Sequence, residues 1–167
     1  MRQWFETIRR LSPRTVVFQG PQGVRWVGNE KGVGRNASLL LNVPPGRDGR
    51  IAAADVASLA AFGRAVRDTY GRNVLERAPG ARPGGVTFDR VGLGEDLRSG
   101  QRVERFAVEA RTGGAWRRIA EGTTVGHRRI LVLPAPAPVT ADAVRVRVLA
   151  ARAAPRLGPV TAHLSRP

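Results

Sequence analysis

The chain has no cysteine, a single lysine and only two histidines among its 167 residues. Without cysteine it can form neither a disulfide nor a thiolate metal site, and cysteine catalysis is excluded. His127 and His163 lie far apart in the sequence, so neither a metal site nor another cofactor is expected. No apolar run approaches the ~20 residues that span a bilayer, and we therefore expect no membrane partner.

The amino terminus carries charge where a signal peptide would need its apolar segment. Arg2 and Glu6 flank Trp4 and Phe5 within the first six residues. We therefore expect no signal peptide on this chain and a cytoplasmic location, with an extracellular one left open if further residues precede Met1. The length fits one domain or two small ones, and a complete (β/α)8 barrel would need roughly 250 residues.

The formal net charge is +15, from 28 basic and 13 acidic side chains. The excess is spread evenly, with 13 basic and 6 acidic residues over 1–80 and 15 and 7 over 81–167. A nucleic-acid binder usually concentrates its cations on one face or helix. In Val144–Val148, arginine alternates with valine, which predicts that the arginines lie on the solvent face of a strand. We expect no nucleic-acid partner and keep that function as the weaker alternative.

The first half of the chain has the pattern of an α/β protein. An amphipathic segment over Trp4–Leu11 precedes two apolar runs, Thr15–Phe18 and Ser38–Val43, which predict buried strands. Helical spacing of the apolar residues then predicts a helix over 51–70. This order of buried strands, loops and helix is typical of a parallel sheet covered by helices.

The second half predicts short antiparallel strands. The proline- and glycine-rich run Pro79–Gly85 is the expected linker. Strands are predicted over 86–93, 103–111, 115–120, 128–133, 143–149 and 159–164, with a hairpin turn after Arg111. The alternation predicts that Phe106, Val108 and Ala110 lie on one face of a strand and Arg105, Ala107 and Glu109 on the other, as in an antiparallel sandwich. Phe88 and Trp116 also occupy strand positions that favour the core.

The segment Arg25–Glu30 is the strongest candidate for chemistry. It places the Trp26 ring, the Asn29 amide and the Glu30 carboxyl just after a predicted buried strand, where α/β enzymes collect catalytic groups. A carboxyl can act as a general acid on a glycosidic bond, and rings and amides hold sugars. On the residues alone, the alternative is a surface loop with Trp26 filling an edge of the core.

Several segments, in one order along the chain, resemble bacterial α-L-fucosidases of glycoside hydrolase family 29. Arg25–Gly32 resembles the loop after a late barrel strand, and Leu39–Arg50 resembles the end of that barrel. Glu95–Val103 and Glu121–Gly126 resemble the discoidin-like β-sandwich of these enzymes. The resemblance implies an α/β part, the end of a (β/α)8-type barrel over 1–78. A linker over 79–85 and an antiparallel, galactose-binding-like β-sandwich over 86–167 would follow.

The resemblance also implies a retaining exo-glycosidase that removes terminal α-L-fucose, α-1,3- or α-1,4-linked, from fucosylated glycans without a cofactor. Glu30 matches the family's acid/base glutamate, and Trp26 and Asn29 are expected to contact the substrate. The nucleophile of the family is an aspartate in a Trp-Phe-Asp-Gly type motif that has no counterpart here, so we expect the chain alone to be inactive. The sequence also departs from the family at Gly32–Val33 and around 76–85, where relatives carry further residues. The alternative function is a non-catalytic carbohydrate-binding module.

Overall fold

The computed structural model describes residues 30, 33–36, 43–76, 85–134 and 136–165. The chain divides into two compact units, Met1–Arg67 and Asp68–Pro167. The predicted segments Trp4–Leu11, Thr15–Phe18 and Ser38–Val43 lie outside the described residues, apart from Val43. The parallel sheet and the domain limits at 78 and 86 therefore stay predictions.

The helix predicted over 51–70 is confirmed as α1, Ala53–Tyr70. Its alanines favour helix formation, and Asp55 in the first turn and Arg67 in the last turn complement the helix dipole. Leu59 and Phe62, on the predicted apolar stripe, are half-buried, whereas Val56 on the same stripe is exposed. In the part of the chain that the structure describes, no helix is both long and apolar enough to cross a membrane.

A tight turn precedes α1 in the first unit. Pro45 and Ile51 form an antiparallel bridge, and the Gly46 nitrogen donates to the Arg50 carbonyl at 2.7 Å. The Asp48 carboxylate accepts a hydrogen bond from the Arg50 nitrogen at 3.1 Å. Gly49 has a φ of 74°, a left-handed conformation that glycine adopts at little cost. The glycine- and proline-rich sequence of this segment therefore forms a closed turn.

The second unit consists of antiparallel strands, as predicted. They are β1 Val86–Phe88, β2 Arg90–Leu93, β3 Val103–Thr112, β4 Ala115–Gly122, β5 Arg129–Val132, β6 Val139–Ala141, β7 Ala143–Ala151 and β8 Thr161–His163. Among the described residues they form the sheets β5–β2–β8, β4–β3–β7 and β1–β6. The predicted hairpin between β3 and β4 is confirmed, with Gly113 and Gly114 at φ values of 58° and 81°. These two left-handed residues match the type I′ turn that suits a two-residue hairpin.

The predicted strand over 86–93 is wrong in one respect, because Asp89 divides it between two sheets. β1 pairs with β6, a strand that the sequence patterns missed because a proline-rich run precedes it. The Asp89 carboxylate accepts hydrogen bonds from the Ser165 nitrogen at 2.9 Å, from the Ser165 hydroxyl, and from Arg90 at 2.5 Å. These side-chain hydrogen bonds stabilise the break between β1 and β2 and connect Ser165 to it.

The core is built around the middle of β3 and around β1 and β2, the two short strands on either side of Asp89. Its fully buried large side chains are Phe88, Val91, Val103, Phe106, Val108 and Val125. The inward position predicted for Phe88 and Phe106 is confirmed. Val74 and Leu75 also pack against this cluster, and the Val74 nitrogen donates to the Ala162 carbonyl at 2.8 Å. The residues just after α1 therefore belong to the second unit.

Both faces of β3 are largely covered. Ala107 and Glu109, which alternate with the core residues of β3, are 0% and 6% exposed. β3 is the central strand of its sheet, and long side chains from β7 cover its outer face over Glu109. Trp116, expected in the core, is 36% exposed because it pairs with Arg111 on that outer face, next to the hairpin turn.

The connection from β2 to β3 is held by two acids of the segment Glu95–Val103. Glu95 is 4% exposed, and its Oε1 accepts hydrogen bonds from the Arg102 and Val103 nitrogens at 2.7 and 3.1 Å. Asp96 caps a short 3-10 turn by accepting from the Arg98 nitrogen. Hydrogen bonds from the Arg98 side chain, and then from its backbone, lower the pKa of Asp96 to about 2.

Candidate functional sites

Glu30 is the predicted catalytic residue that the structure describes, and it is 9% exposed. Of the acids described in the first unit, Asp48 is exposed and Asp55 is half-buried, so Glu30 is the buried one. Glutamate is rarely buried unless it is paired, and Glu30 does take part in a polar or electrostatic interaction. Burial distinguishes Glu30 from an ordinary surface carboxylate.

The described backbone around Glu30 is helical and then turns. Glu30 and Val33 have π-helical geometry. A turn follows, in which the Asn36 nitrogen donates to the Val33 carbonyl at 3.3 Å. Asn36 has a φ of 63°, a conformation that asparagine tolerates better than most residues. Trp26 and Asn29 lie outside the described residues, so their contact with a substrate stays a prediction.

A polar cavity of about 390 Å³ lies in the second unit, and no sequence pattern pointed to it. Its lining is Tyr70, Gly71, Asn73, Glu76, Gly92, Leu93, Gly94, Arg128, Ile130, Pro159, Thr161 and His163. Leu93, Ile130 and His163 are buried and form its floor, whereas Glu76 and Arg128 are exposed at its rim. The volume is within the 300–1,000 Å³ usual for small-molecule sites.

His163 is fixed at the floor of this cavity by two hydrogen bonds. Its Nδ1 lies 2.8 Å from the Arg72 carbonyl, which can only accept, so Nδ1 carries a proton. Burial lowers the pKa of His163, and the neutral ring therefore predominates at pH 7. The neutral Nε2 then accepts a hydrogen bond from the Thr161 hydroxyl at 3.0 Å. The Tyr70 ring packs edge-on against the His163 ring, with 5.2 Å between the two ring centroids.

Asn73 is held equally firmly on the wall of the cavity. Its Oδ1 accepts hydrogen bonds from the Ala162 nitrogen at 2.9 Å and the Leu75 nitrogen at 3.1 Å. Its Nδ2 has no hydrogen-bond partner among the described residues. Because Asn73 and Ala162 are 89 positions apart, no local motif could have revealed the cavity.

The outer face of the β4–β3–β7 sheet carries a cluster of arginines around Trp116. The guanidinium groups of Arg145 and Arg111 lie 4.1 and 5.7 Å from the centre of the Trp116 ring. Glu109 accepts hydrogen bonds from Arg145 at 2.8 Å and Arg147 at 3.0 Å. The bond from Arg145 is the main reason why the pKa of Glu109 is lowered. These contacts bind the strands to each other and cover the indole ring.

A larger cavity, of about 560 Å³, lies elsewhere in the second unit. Its described lining includes Ile119, Leu133, Val139 and the exposed Arg117 and Arg118. That described lining holds no carboxylate or histidine, so it offers no general acid or base. In the described ranges there is also no group of three or more histidine or acidic residues that could hold a metal ion.

Comparison with known proteins gives a consistent result. No family model matches the chain. A rice protein (Oryza sativa subsp. japonica), provisionally named α-L-fucosidase 1, is 28% identical to it over 146 residues, covering 62% of the chain. Arabidopsis thaliana α-L-fucosidase 1 is 30% identical over 141 residues, covering 59% of the chain. The chain spans 28% of the length of each of these plant proteins.

Solved structures show that the similarity of this chain to α-L-fucosidases extends to the fold. A Bacteroides ovatus protein, provisionally named an α-L-fucosidase, matches 82% of the chain with 35% identity and a TM-score of 0.70. A glycoside hydrolase 29 family member from an unknown rumen bacterium matches 82% with 32% identity and a TM-score of 0.69. The match covers 25% and 27% of those chains. By sequence and by fold, this chain is similar to α-L-fucosidases and, among the solved structures, to a glycoside hydrolase family 29 member, over part of their length.

Proposed function

We propose that this chain is part of a retaining exo-α-L-fucosidase that acts on terminal α-L-fucose of glycans, with Glu30 as the acid/base residue. The observation that carries the proposal is the joint match in sequence and fold to α-L-fucosidases over most of the chain. Fucosylated glycans are therefore the proposed substrates, and the α-1,3 and α-1,4 linkages are the proposed specificity.

Retaining hydrolysis needs two carboxyl groups about 5 Å apart on either side of the scissile bond. One attacks the anomeric carbon and forms a covalent glycosyl-enzyme, while the other protonates the departing oxygen and later deprotonates water. In this proposal Glu30 is the acid/base group, which protonates the departing oxygen and later deprotonates water. Its burial supports the assignment, because a surface acid would not need to be buried. Trp26 stacks on the sugar and Asn29 hydrogen-bonds to its hydroxyls.

We also propose the finer architecture behind this activity. Residues 1–78 form the end of a (β/α)8-type barrel, and residues 86–167 form a discoidin-like β-sandwich after a linker. The antiparallel pairing of the described strands and the fold match to family 29 proteins support this division. In such a barrel Glu30 would lie at the carboxyl end of a strand, where catalytic groups collect.

The competing functions gain little from the outer face of the β4–β3–β7 sheet. A carbohydrate-binding module that holds a sugar by stacking needs an aromatic ring that faces outward, and Trp116 is such a ring on this face. However, Arg145 covers the face of the indole, so a sugar could stack there only by displacing the guanidinium. For nucleic-acid binding, the arginines of this face would have to give up their carboxylate partners, Glu109 for Arg145 and Asp142 for Arg111.

Grafting the segment Arg25–Gly32 into an active family 29 α-L-fucosidase tests the proposal, because the intact enzyme supplies the nucleophile. The graft should retain activity on aryl α-L-fucosides. In the graft, Glu30→Ala should hardly slow the first step with good leaving groups. Poor leaving groups should lose a factor of roughly 10² to 10⁴, the usual contribution of general acid–base catalysis. Azide should restore the second step, since it replaces the water that Glu30 activates.

The matched control is Lys31→Ala in the same graft, which should show neither leaving-group dependence nor azide rescue. An equal loss for all leaving groups in Glu30→Ala, without azide rescue, would show that Glu30 is structural. The chain by itself is expected to be inactive on the same substrates. Turnover by the chain that disappears in Glu30→Gln would instead imply a nucleophile within its own sequence.

A further inference from the structure

We propose that the polar cavity around Asn73, Thr161 and His163 is a second, non-catalytic binding site, and that its ligand is a neutral, monosaccharide-sized polyol. The described lining of the cavity lies within the second unit, whereas Glu30 lies in the first. The inference therefore goes beyond the proposed fucosidase site and does not depend on it.

The lining of the cavity carries hydrogen-bonding groups in an arrangement that suits a polyol. Asn73 presents an amide NH₂ that is free among the described residues, and its Oδ1 is already fixed by two backbone nitrogens. Thr161 donates its proton to the neutral His163, so its oxygen can accept from a ligand hydroxyl. Glu76 adds an acceptor and Arg128 adds donors at the rim. Neighbouring donors and acceptors of this kind match vicinal hydroxyl groups, each of which both donates and accepts.

The polar groups of the cavity are fixed before any ligand binds. A Cβ on Gly92 would lie 2.3 Å from the Thr161 Oγ1, so glycine allows β2 to lie close beneath the threonine. His163 is held from one side by the Arg72 carbonyl and from the other by Thr161. Polar groups that are already ordered lose little entropy on binding, which favours recognition of a small ligand.

The charges at the cavity favour a neutral ligand. Glu76 and Arg128 are both on the exposed rim, so the rim carries one group of each sign. His163 is neutral at pH 7 because burial lowers its pKa. A carboxylate ligand would be attracted by Arg128 but repelled by Glu76, and a cation the reverse, so the rim as a whole favours neither sign of charge. Of the twelve lining residues that the structure describes, six carry polar side chains and three are glycine, which makes the described lining too polar for an apolar ligand.

The test is an NMR titration of the full chain with L-fucose, D-galactose and D-mannose, together with D-galacturonate as an anionic probe. We expect saturable shifts of the Gly92, Gly94 and Thr161 amides with at least one neutral sugar. Asn73→Asp keeps the Oδ1 acceptor for both backbone nitrogens but removes the amide donors. It should weaken binding about tenfold, the effect of losing roughly one hydrogen bond.

The controls separate this site from the proposed catalytic one. Gln101→Glu makes the same amide-to-acid change at an exposed position of the second unit and should bind like the parent chain. Glu30→Gln should also bind like the parent. If Asn73→Asp disturbs the fold, Arg128→Gln on the exposed rim serves as the second variant and should weaken binding as well.

Four results would overturn the proposal. The first two are that no neutral sugar gives a saturable shift, or that the shifts are confined to residues outside the cavity. The other two are that Asn73→Asp binds like the parent chain, or that D-galacturonate binds more tightly than D-galactose. Binding that is lost in Glu30→Gln but kept in Asn73→Asp would place the sugar at the proposed catalytic site. That outcome would overturn the second site and leave the proposed function standing.

Discussion

Replacing Gly122 with alanine tests how the ring of Phe106 packs between β3 and β4. The two residues are directly paired across these strands, and Phe106 is 0% exposed. A Cβ on Gly122 would lie 2.7 Å from the Phe106 Cζ and 2.9 Å from its Cε1. Because the ring is enclosed by the core, it cannot swing away from a new methyl group at low cost.

The magnitudes follow from this contact. Overpacking a core by one methyl group costs about 1–3 kcal/mol. Part of this is offset, because alanine reduces the freedom of the unfolded chain by about 0.4–1 kcal/mol relative to glycine. Phe106→Ala alone should cost about 3–5 kcal/mol through the cavity that it leaves. In the double variant the Gly122 methyl enters that cavity, so Gly122→Ala should become neutral or slightly stabilising when Phe106 is already alanine.

Urea unfolding followed by far-ultraviolet circular dichroism measures the free energy of unfolding of the parent chain, the two single variants and the double variant. Gly158→Ala is the matched control, because its Cβ would meet the Gly94 carbonyl at 3.6 Å, an ordinary contact. It should change the free energy of unfolding by no more than about 0.5 kcal/mol. Equal destabilisation by Gly122→Ala in both backgrounds would refute the reasoning, since the ring would then not be the obstacle.

Two further predictions concern the ionic contacts of the second unit. Asp89→Ala removes the carboxylate that accepts hydrogen bonds from both Arg90 and Ser165 and should cost about 1.5–3 kcal/mol in urea unfolding, against about 1 kcal/mol for Ser165→Ala. Glu109→Gln should be less stable than the parent chain at pH 7, because the folded pKa of Glu109 is lowered, chiefly by Arg145. A lowered folded pKa gives stability that is present above the unfolded pKa and is lost as pH falls through the folded one. The difference between the two urea midpoints should therefore shrink below about pH 4.5 and disappear in strong acid; a pH-independent difference would contradict this cause.

The sequence predicted the described elements well where a local pattern was strong. The helix α1 and the β3–β4 hairpin follow from spacing and from the Gly113–Gly114 turn, which are properties of short segments. The break at Asp89 was not predictable in the same way. It depends on hydrogen bonds to Ser165, a residue 76 positions away. The role of Glu30 came from resemblance to a family, and its burial is consistent with that role without testing it.

The sequence by itself determined the antiparallel strands, the helix and the likeness to family 29 fucosidases, because periodicity and motifs are properties of residues that are close together in the chain. Only the tertiary structure decided which strand faces are covered. Alternation predicts two faces for β3, but Arg145 and Arg147 reach from β7 over Glu109, and the Trp116 ring lies under Arg145 instead of in the core. The tertiary structure also brought Asn73 and Thr161 to one cavity. Residues so far apart in the chain meet only when the strands pair, so their contacts depend on long-range packing that no local pattern encodes.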